Sequence, residues 1–162
     1  MENIYFAKVK SDAVIPTKRK EDAGYDIYVC FEEEYRLIQP HETAIIPTGI
    51  TSAFSSDYVL VLKERGSTGT KGMGQRCGII DSGFRGEWFV AITNYNDKPI
   101  LITKEEYTEP LKDDYIVYPY SKAVCQALLL PVPESQSVEI SHEELISISS
   151  ERGAGKLGSS EK

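Results

Sequence analysis

No apolar run in the 162 residues approaches the ~20 that a membrane-spanning helix requires, which argues against a membrane anchor. The first residues, Met1-Glu2-Asn3-Ile4-Tyr5-Phe6-Ala7-Lys8-Val9, hold no long apolar segment followed by a small-residue cleavage site. A secretory leader is therefore not expected, and the cytoplasm is the expected location. Histidine is scarce: His41 and His142 are far apart, and neither has a cysteine or carboxylate at metal-ligand spacing. That leaves a zinc centre or a Ser–His nucleophile without support. The three cysteines, Cys30, Cys77 and Cys125, form no CxxC pair and suit a reducing compartment. Basic excess is also missing. The net charge of −7 sets up a field that repels phosphate backbones, so generic nucleic-acid binding is not expected.

What is present is enough chain for one hydrophobic core, at 41% hydrophobic residues. The apolar runs are short, rich in β-branched and aromatic residues, and end at Gly or Pro. Ile4–Val9, Tyr25–Phe31, Thr43–Ile46, Tyr58–Leu62, Glu87–Thr93, Tyr115–Tyr118 and Val124–Leu130 read as strands. Helical periodicity is poor, with short helices expected only over Thr103–Leu111 and Ser141–Ile148. Many short strands with frequent turns predict an all-β fold, an antiparallel barrel or jelly-roll-like arrangement. Residues 1–148 read as one β domain. Residues 149–162 are Gly/Ser-rich with almost no apolar content, and read as a mobile C-terminal arm.

Two glycine-rich segments could carry chemistry. In Arg65-Gly66-Ser67-Thr68-Gly69, a planar donor fork, hydroxyls and bare backbone N–H groups suit an anion, although the segment would also serve as an ordinary turn. It lacks P-loop spacing. In Cys77-Gly78-Ile79-Ile80-Asp81-Ser82-Gly83-Phe84-Arg85-Gly86, an Asp after an apolar pair predicts a hairpin with a carboxylate near its tip. That carboxylate could deprotonate a water, or merely bond its own turn. Asp26 sits inside a strand pattern, where Asp is disfavoured; it could support a hydrated Mg²⁺ or anchor a buried polar contact. Gln126 interrupts an apolar strand and by default faces solvent.

Taken in order, Ala23-Gly24-Tyr25-Asp26, Arg65 to Gly69, Gly78 to Gly86, Val124-Cys125-Gln126 and Arg152-Gly153-Ala154-Gly155-Lys156-Leu157-Gly158-Ser159-Ser160 resemble the five ordered motifs of the trimeric dUTPase family. The resemblance spans nearly the whole chain. It implies an all-β, jelly-roll-like homotrimer that cleaves dUTP to dUMP and pyrophosphate with Mg²⁺, each site being shared between subunits. On this carry-over Asp81 activates water. Gln75 and the backbone around Gly78 and Ile80 read uracil, and Phe84 packs under the deoxyribose. Arg65, Gly66, Ser67 and Gln126 hold phosphate oxygens, and Asp26 reaches the metal through water. Arg152, Leu157, Gly158 and Ser159 close over the triphosphate.

The chain departs from the family pattern at four of these positions. Gly66 replaces a Ser, Gln75 an Asn, Phe84 a Tyr and Leu157 a Phe. Asp81 and Gln126 are also more widely spaced than usual, which places an insertion at about 103–120. Two alternatives follow from the same resemblance: a regulatory protein-binding role through that insertion, and a dCTP deaminase. Thr68-Gly69-Thr70-Lys71 argues against the second, because it stands where a deaminase carries an Ala-Arg element.

Overall fold

The computed structural model describes residues 2–105 and 113–153. The chain divides into two compact units between Val132 and Pro133. The expected boundary at 148/149 lies sixteen residues further on, beyond a short helix.

The first unit is built of short strands, as β-branched and aromatic runs broken by Gly and Pro require. In chain order these are β1 (Tyr5–Lys8), β2 (Gly24–Ile27), β3 (Tyr35–Ile38), β4 (Thr43–Pro47), β5 (Ile50–Ala53) and β6 (Tyr58–Lys63). A single helical turn, α1 (Gly66–Gly69), follows. After it come β7 (Met73–Arg76), β8 (Ile79–Ile80), β9 (Phe89–Asn94), β10 (Ile100–Thr103), β11 (Ile116–Pro119) and β12 (Cys125–Pro131). They form four small sheets, ordered β1-β5, β11-β10-β3, β2-β12-β6-β8 and β4-β9-β7. The all-β, jelly-roll-like class is observed.

One continuous core joins the sheets. Leu60 and Leu62 of β6, Val90 and Ile92 of β9 and Ile100 and Ile102 of β10 are buried together around Trp88, which is fully enclosed. Alternation along β6 turns Leu60 and Leu62 inward and leaves Val59 and Val61 half-buried. Phe6 meets the Trp88 indole edge-on at 5.7 Å. The Trp88 main chain crosslinks neighbouring segments by accepting from Thr48 N–H and donating to the Ile50 carbonyl.

Three expectations are corrected. The helix over Thr103–Leu111 does not start where expected: Thr103 closes β10, all four of whose residues are buried, and 106–111 lie outside the described residues. Its core-facing run is only Ile100–Ile102, too short for periodicity to distinguish strand from helix. β10 pairs in parallel with β11, Ile100 opposite Ile116, and the intervening 104–115 is long enough for such a crossover. The segment Gly78–Trp88 is not a β-hairpin, because β8 pairs with β6, whereas β9 pairs with β4 and β7. β3, β5, β7 and β10 are not among the expected strands; the first three are short and only partly apolar, and β10 is short and apolar without alternation.

The second unit holds α2 (His142–Ser147), matching the helix expected over Ser141–Ile148. Its start is set by a reciprocal box, in which the Ser141 hydroxyl accepts the Glu144 N–H at 3.1 Å and Glu144 accepts the Ser141 N–H at 2.8 Å. Among the described residues, no helix is long and apolar enough to cross a membrane.

Candidate functional site

Strand register assembles the first cluster. β12 runs between β2 and β6, with Gln126 opposite Asp26 on one side and Lys63 on the other. Residues distant in sequence therefore share one sheet end, and Arg65 extends just past it. The Arg65 Nε donates to Asp26 Oδ1 at 2.8 Å, and a second guanidinium nitrogen reaches Oδ2 at 3.4 Å. Its remaining nitrogen donates to Ser67 Oγ at 3.3 Å and to the Ala123 carbonyl at 3.4 Å.

Arg65 is held by the local turn. Its N–H donates to the buried Thr68 hydroxyl at 3.0 Å, and its carbonyl accepts from Thr68 and Gly69. Gly66 is exposed, and a Cβ there would meet nothing within 4 Å. Gln126 is half-buried rather than turned to solvent, because its amide donates to the Glu64 carbonyl at 2.8 Å. Gly24 gives it room, since a Cβ there would lie 2.9 Å from Gln126 Cβ, an atom that side-chain rotation does not move away. Asp26, Arg65, Gly66, Ser67 and Gln126 thus line one polar cavity of about 810 Å³.

Three contributors were not legible in the sequence. Thr68 pins the turn, Tyr118 donates its hydroxyl to the Ala123 carbonyl at 2.6 Å, and Glu64 joins three segments. Burial pushes the Tyr118 phenol up, and Ser67 and Arg65 beside it oppose that shift. Tyr118 lies on β11, and no local pattern announces that its phenol reaches the distant Ser67 and Arg65.

The Glu64 carbonyl receives Gln126, and its carboxylate accepts the Gln75 N–H at 2.8 Å with Lys63 Nζ at 3.5 Å. Backbone N–H donors hold this carboxyl below its ordinary value of 4.5, its own amide first, with burial opposing. Its stabilising contribution is therefore complete above the unfolded value near 4.5 and is lost as pH falls through the lower folded value. Glu64→Gln should flatten the acid limb of the thermal midpoint below about pH 4.5. An unchanged acid limb, measured by circular dichroism, would remove Glu64 from that role.

The second cluster lies around β8. Gln75 is on β7 opposite Ile92; its amide donates to the Arg76 carbonyl at 2.7 Å, while Oε1 is buried without a partner. Cys77, at φ +50°, turns the chain into Gly78, whose carbonyl accepts the Leu62 N–H at 2.6 Å. The Ile80 side chain enters the core, and Ile79 faces outward. Asp81 is exposed, and its carbonyl accepts the Phe84 N–H at 3.0 Å, closing a tight turn. Arg85 staples that turn by donating to the Ser82, Phe84 and Ser52 carbonyls. Asp81, Phe84 and Ile80 line a cavity of about 260 Å³ with Ile79, Glu87 and Phe89.

The two clusters touch where the Gln75 N–H meets Glu64, but Asp81 and Arg65 do not meet within one chain. Ile80 lies opposite Leu60, so Asp81 follows alongside Val59, at the far end of β6 from Arg65. Six residues of extended chain span on the order of 20 Å. Arg152 is exposed in the second unit. Leu157, Gly158 and Ser159 lie outside the described residues.

Asp26 is the metal-associated candidate. Among the described residues no three His, Cys, Asp or Glu side chains gather as a ligand set. Asp26 is partly exposed, at 35%, and faces the polar cavity while paired with Arg65. That donor set fits an ion carried mainly by phosphate oxygens and water, as Mg²⁺ often is.

The family model described as dUTPase matches residues 10–107. The deoxyuridine 5'-triphosphate nucleotidohydrolase of Nautilia profundicola is 30% identical over 159 residues, covering 96% of each chain. Its namesake from Neisseria meningitidis is 29% identical, covering 92% of this chain and 88% of the relative. Among solved structures, a Tyr-to-Phe variant of the Staphylococcus bacteriophage 80alpha dUTPase with dUpNHpp superimposes with a TM-score of 0.70. That protein is 26% identical, and the match covers 99% of both chains.

Proposed function

The chain belongs to the dUTPase family, and on that premise we propose how its residues hydrolyse dUTP to dUMP and pyrophosphate. The observation that carries the reading is the cavity where Asp26, Arg65, Ser67 and Gln126, drawn from three separate motifs, converge. Arg65 and Ser67 bind phosphate oxygens with preorganised donors, and the exposed Gly66 lets the backbone come close. Gln126 holds the turn through Glu64 and presents its amide oxygen beside Gly24.

Asp81 takes the proton of the water that attacks the α-phosphorus. Gln75 and the backbone from Gly78 to Ile80 read uracil, and the Phe84 ring lies beneath the deoxyribose and disfavours a 2′-hydroxyl. Bound to the triphosphate, Mg²⁺ would neutralise charge and align the phosphates, with Asp26 bonding its water shell.

The separation of Asp81 from Arg65 along β6 supports a site completed between copies of the chain, in a homotrimer. Arg152, with Leu157, Gly158 and Ser159, would close over the triphosphate and exclude water. Such activity in the cytoplasm keeps uracil out of DNA and supplies dUMP for thymidylate synthesis.

The test is pyrophosphate release from dUTP, dCTP, dTTP and UTP, each with Mg²⁺ and with EDTA. Release from dUTP alone, abolished by EDTA, is expected. Equal turnover of UTP would overturn the role of Phe84, and full activity in EDTA would overturn that of the metal.

A further inference from the structure

We propose that Lys18 and Arg19 form a second cationic wall of the phosphate cavity, which binds the β- and γ-phosphates but not the α-phosphate. This deepens the dUTP-hydrolysing reading and rests on it. The loop before β2 is tied to the site by its backbone, since the Asp26 N–H donates to the Thr17 carbonyl at 3.0 Å. The next two residues, Lys18 and Arg19, line the same cavity as Arg65 and Ser67.

The cavity's other donors are partly engaged. Arg65 is neutralised by Asp26, and one of the two Gln126 amide N–H groups is held by the Glu64 carbonyl. Within this cavity Ser67, the remaining edge of Arg65 and one Gln126 N–H offer fewer donors than the oxygens of a triphosphate can accept. The loop supplies more. Among the described residues Lys18 has no carboxylate partner; it donates to the Asp22 carbonyl at 2.7 Å and lies 5.6 Å from the Tyr25 ring centroid. Two of its three N–H groups remain available.

Arg19 is parked on Asp22 through Nε at 2.8 Å and Nη2 at 3.0 Å, in an exposed pair. Such a pair is worth little in water, so a phosphate can displace the carboxylate. Charge on the cavity wall is balanced, with Lys18, Arg19 and Arg65 facing Glu21, Asp22 and Asp26. Exchange of Asp22 for a phosphate oxygen therefore converts an internal pair into a ligand contact.

The two products separate this role from any other. Pyrophosphate carries what Lys18 and Arg19 would bind, and dUMP does not. Calorimetric titration of the full-length protein with Mg²⁺ and pyrophosphate, dUpNHpp or dUMP provides the readout. Lys18→Gln with Arg19→Gln should weaken pyrophosphate and dUpNHpp at least about tenfold, the scale of one charge-assisted hydrogen bond, and dUMP less than twofold. Asp22→Asn releases Arg19 and should tighten pyrophosphate about threefold, a direction that damage to the fold cannot mimic.

Unchanged pyrophosphate binding in the double variant overturns the inference alone, provided wild-type protein binds dUpNHpp. Equal weakening of dUMP and pyrophosphate also overturns it. Failure of wild-type protein to bind dUpNHpp overturns both the inference and the reading beneath it.

Discussion

Asp81→Asn should reduce dUTP turnover by about 10²–10⁴-fold, the usual contribution of a positioned general base, while leaving KM nearly unchanged. The substitution preserves shape and removes only the capacity to take a proton. It should not disturb the turn, because the Phe84 N–H is held by the Asp81 main-chain carbonyl and not by its carboxylate. Asp81 is exposed, so the thermal midpoint should stay at the wild-type value.

The other carboxylate facing that cavity, Glu87, is already committed. Its Oε1 accepts the Gly49 N–H at 2.9 Å and lies 4.0 Å from Lys10 Nζ. Steady-state kinetics of Asp81→Asn beside Glu87→Gln distinguish the two. A normal rate in Asp81→Asn would require another base. A large rate loss in Glu87→Gln, with stability intact, would point to that residue.

Gly78→Ala should lower stability by about 1–3 kcal/mol and inactivate the protein. A Cβ at Gly78 would lie 2.5 Å from the Leu62 carbonyl oxygen, and that atom is backbone in the central part of the sheet, unable to rotate away. The same residues are joined by the Leu62 N–H on the Gly78 carbonyl at 2.6 Å. Relief of the clash therefore means peeling β8 away from β6, and β8 delivers Asp81.

A displacement of about 1 Å at a catalytic group is enough to lose about 10²-fold in rate. Denaturant unfolding together with turnover would measure both effects. Gly83→Ala is the control, since a Cβ there meets nothing within 4 Å and should leave stability unaltered. Wild-type stability in Gly78→Ala would show that the two strands can separate freely.

The strongest apolar runs were legible because burial imposes a pattern on each strand by itself. Tyr58–Leu62 is an unbroken apolar run rich in valine and leucine, and the structure places β6 over Tyr58–Lys63. The helix expected over Ser141–Ile148 matches α2, whose start the Ser141–Glu144 box fixes in the structure. β10 escaped notice because its three apolar residues are buried on both faces and show no period. The Gly78 turn was misread as a hairpin because sequence proximity to β9 suggested a partner that distant β6 supplies.

The chemistry divides in the same way. The residue types alone admit an anion-binding turn or an ordinary glycine turn at Arg65–Gly69 and place a carboxylate after Ile80, since glycine, hydroxyl, guanidinium and Asp each carry their chemistry locally. The register of β12 between β2 and β6 decided that Asp26 would pair with Arg65, and that Gln126 would turn inward to Glu64. Register also put Asp81 at the opposite end of β6 from that pair. Cross-strand pairing is set by core packing over the whole chain, so no window of sequence contains it.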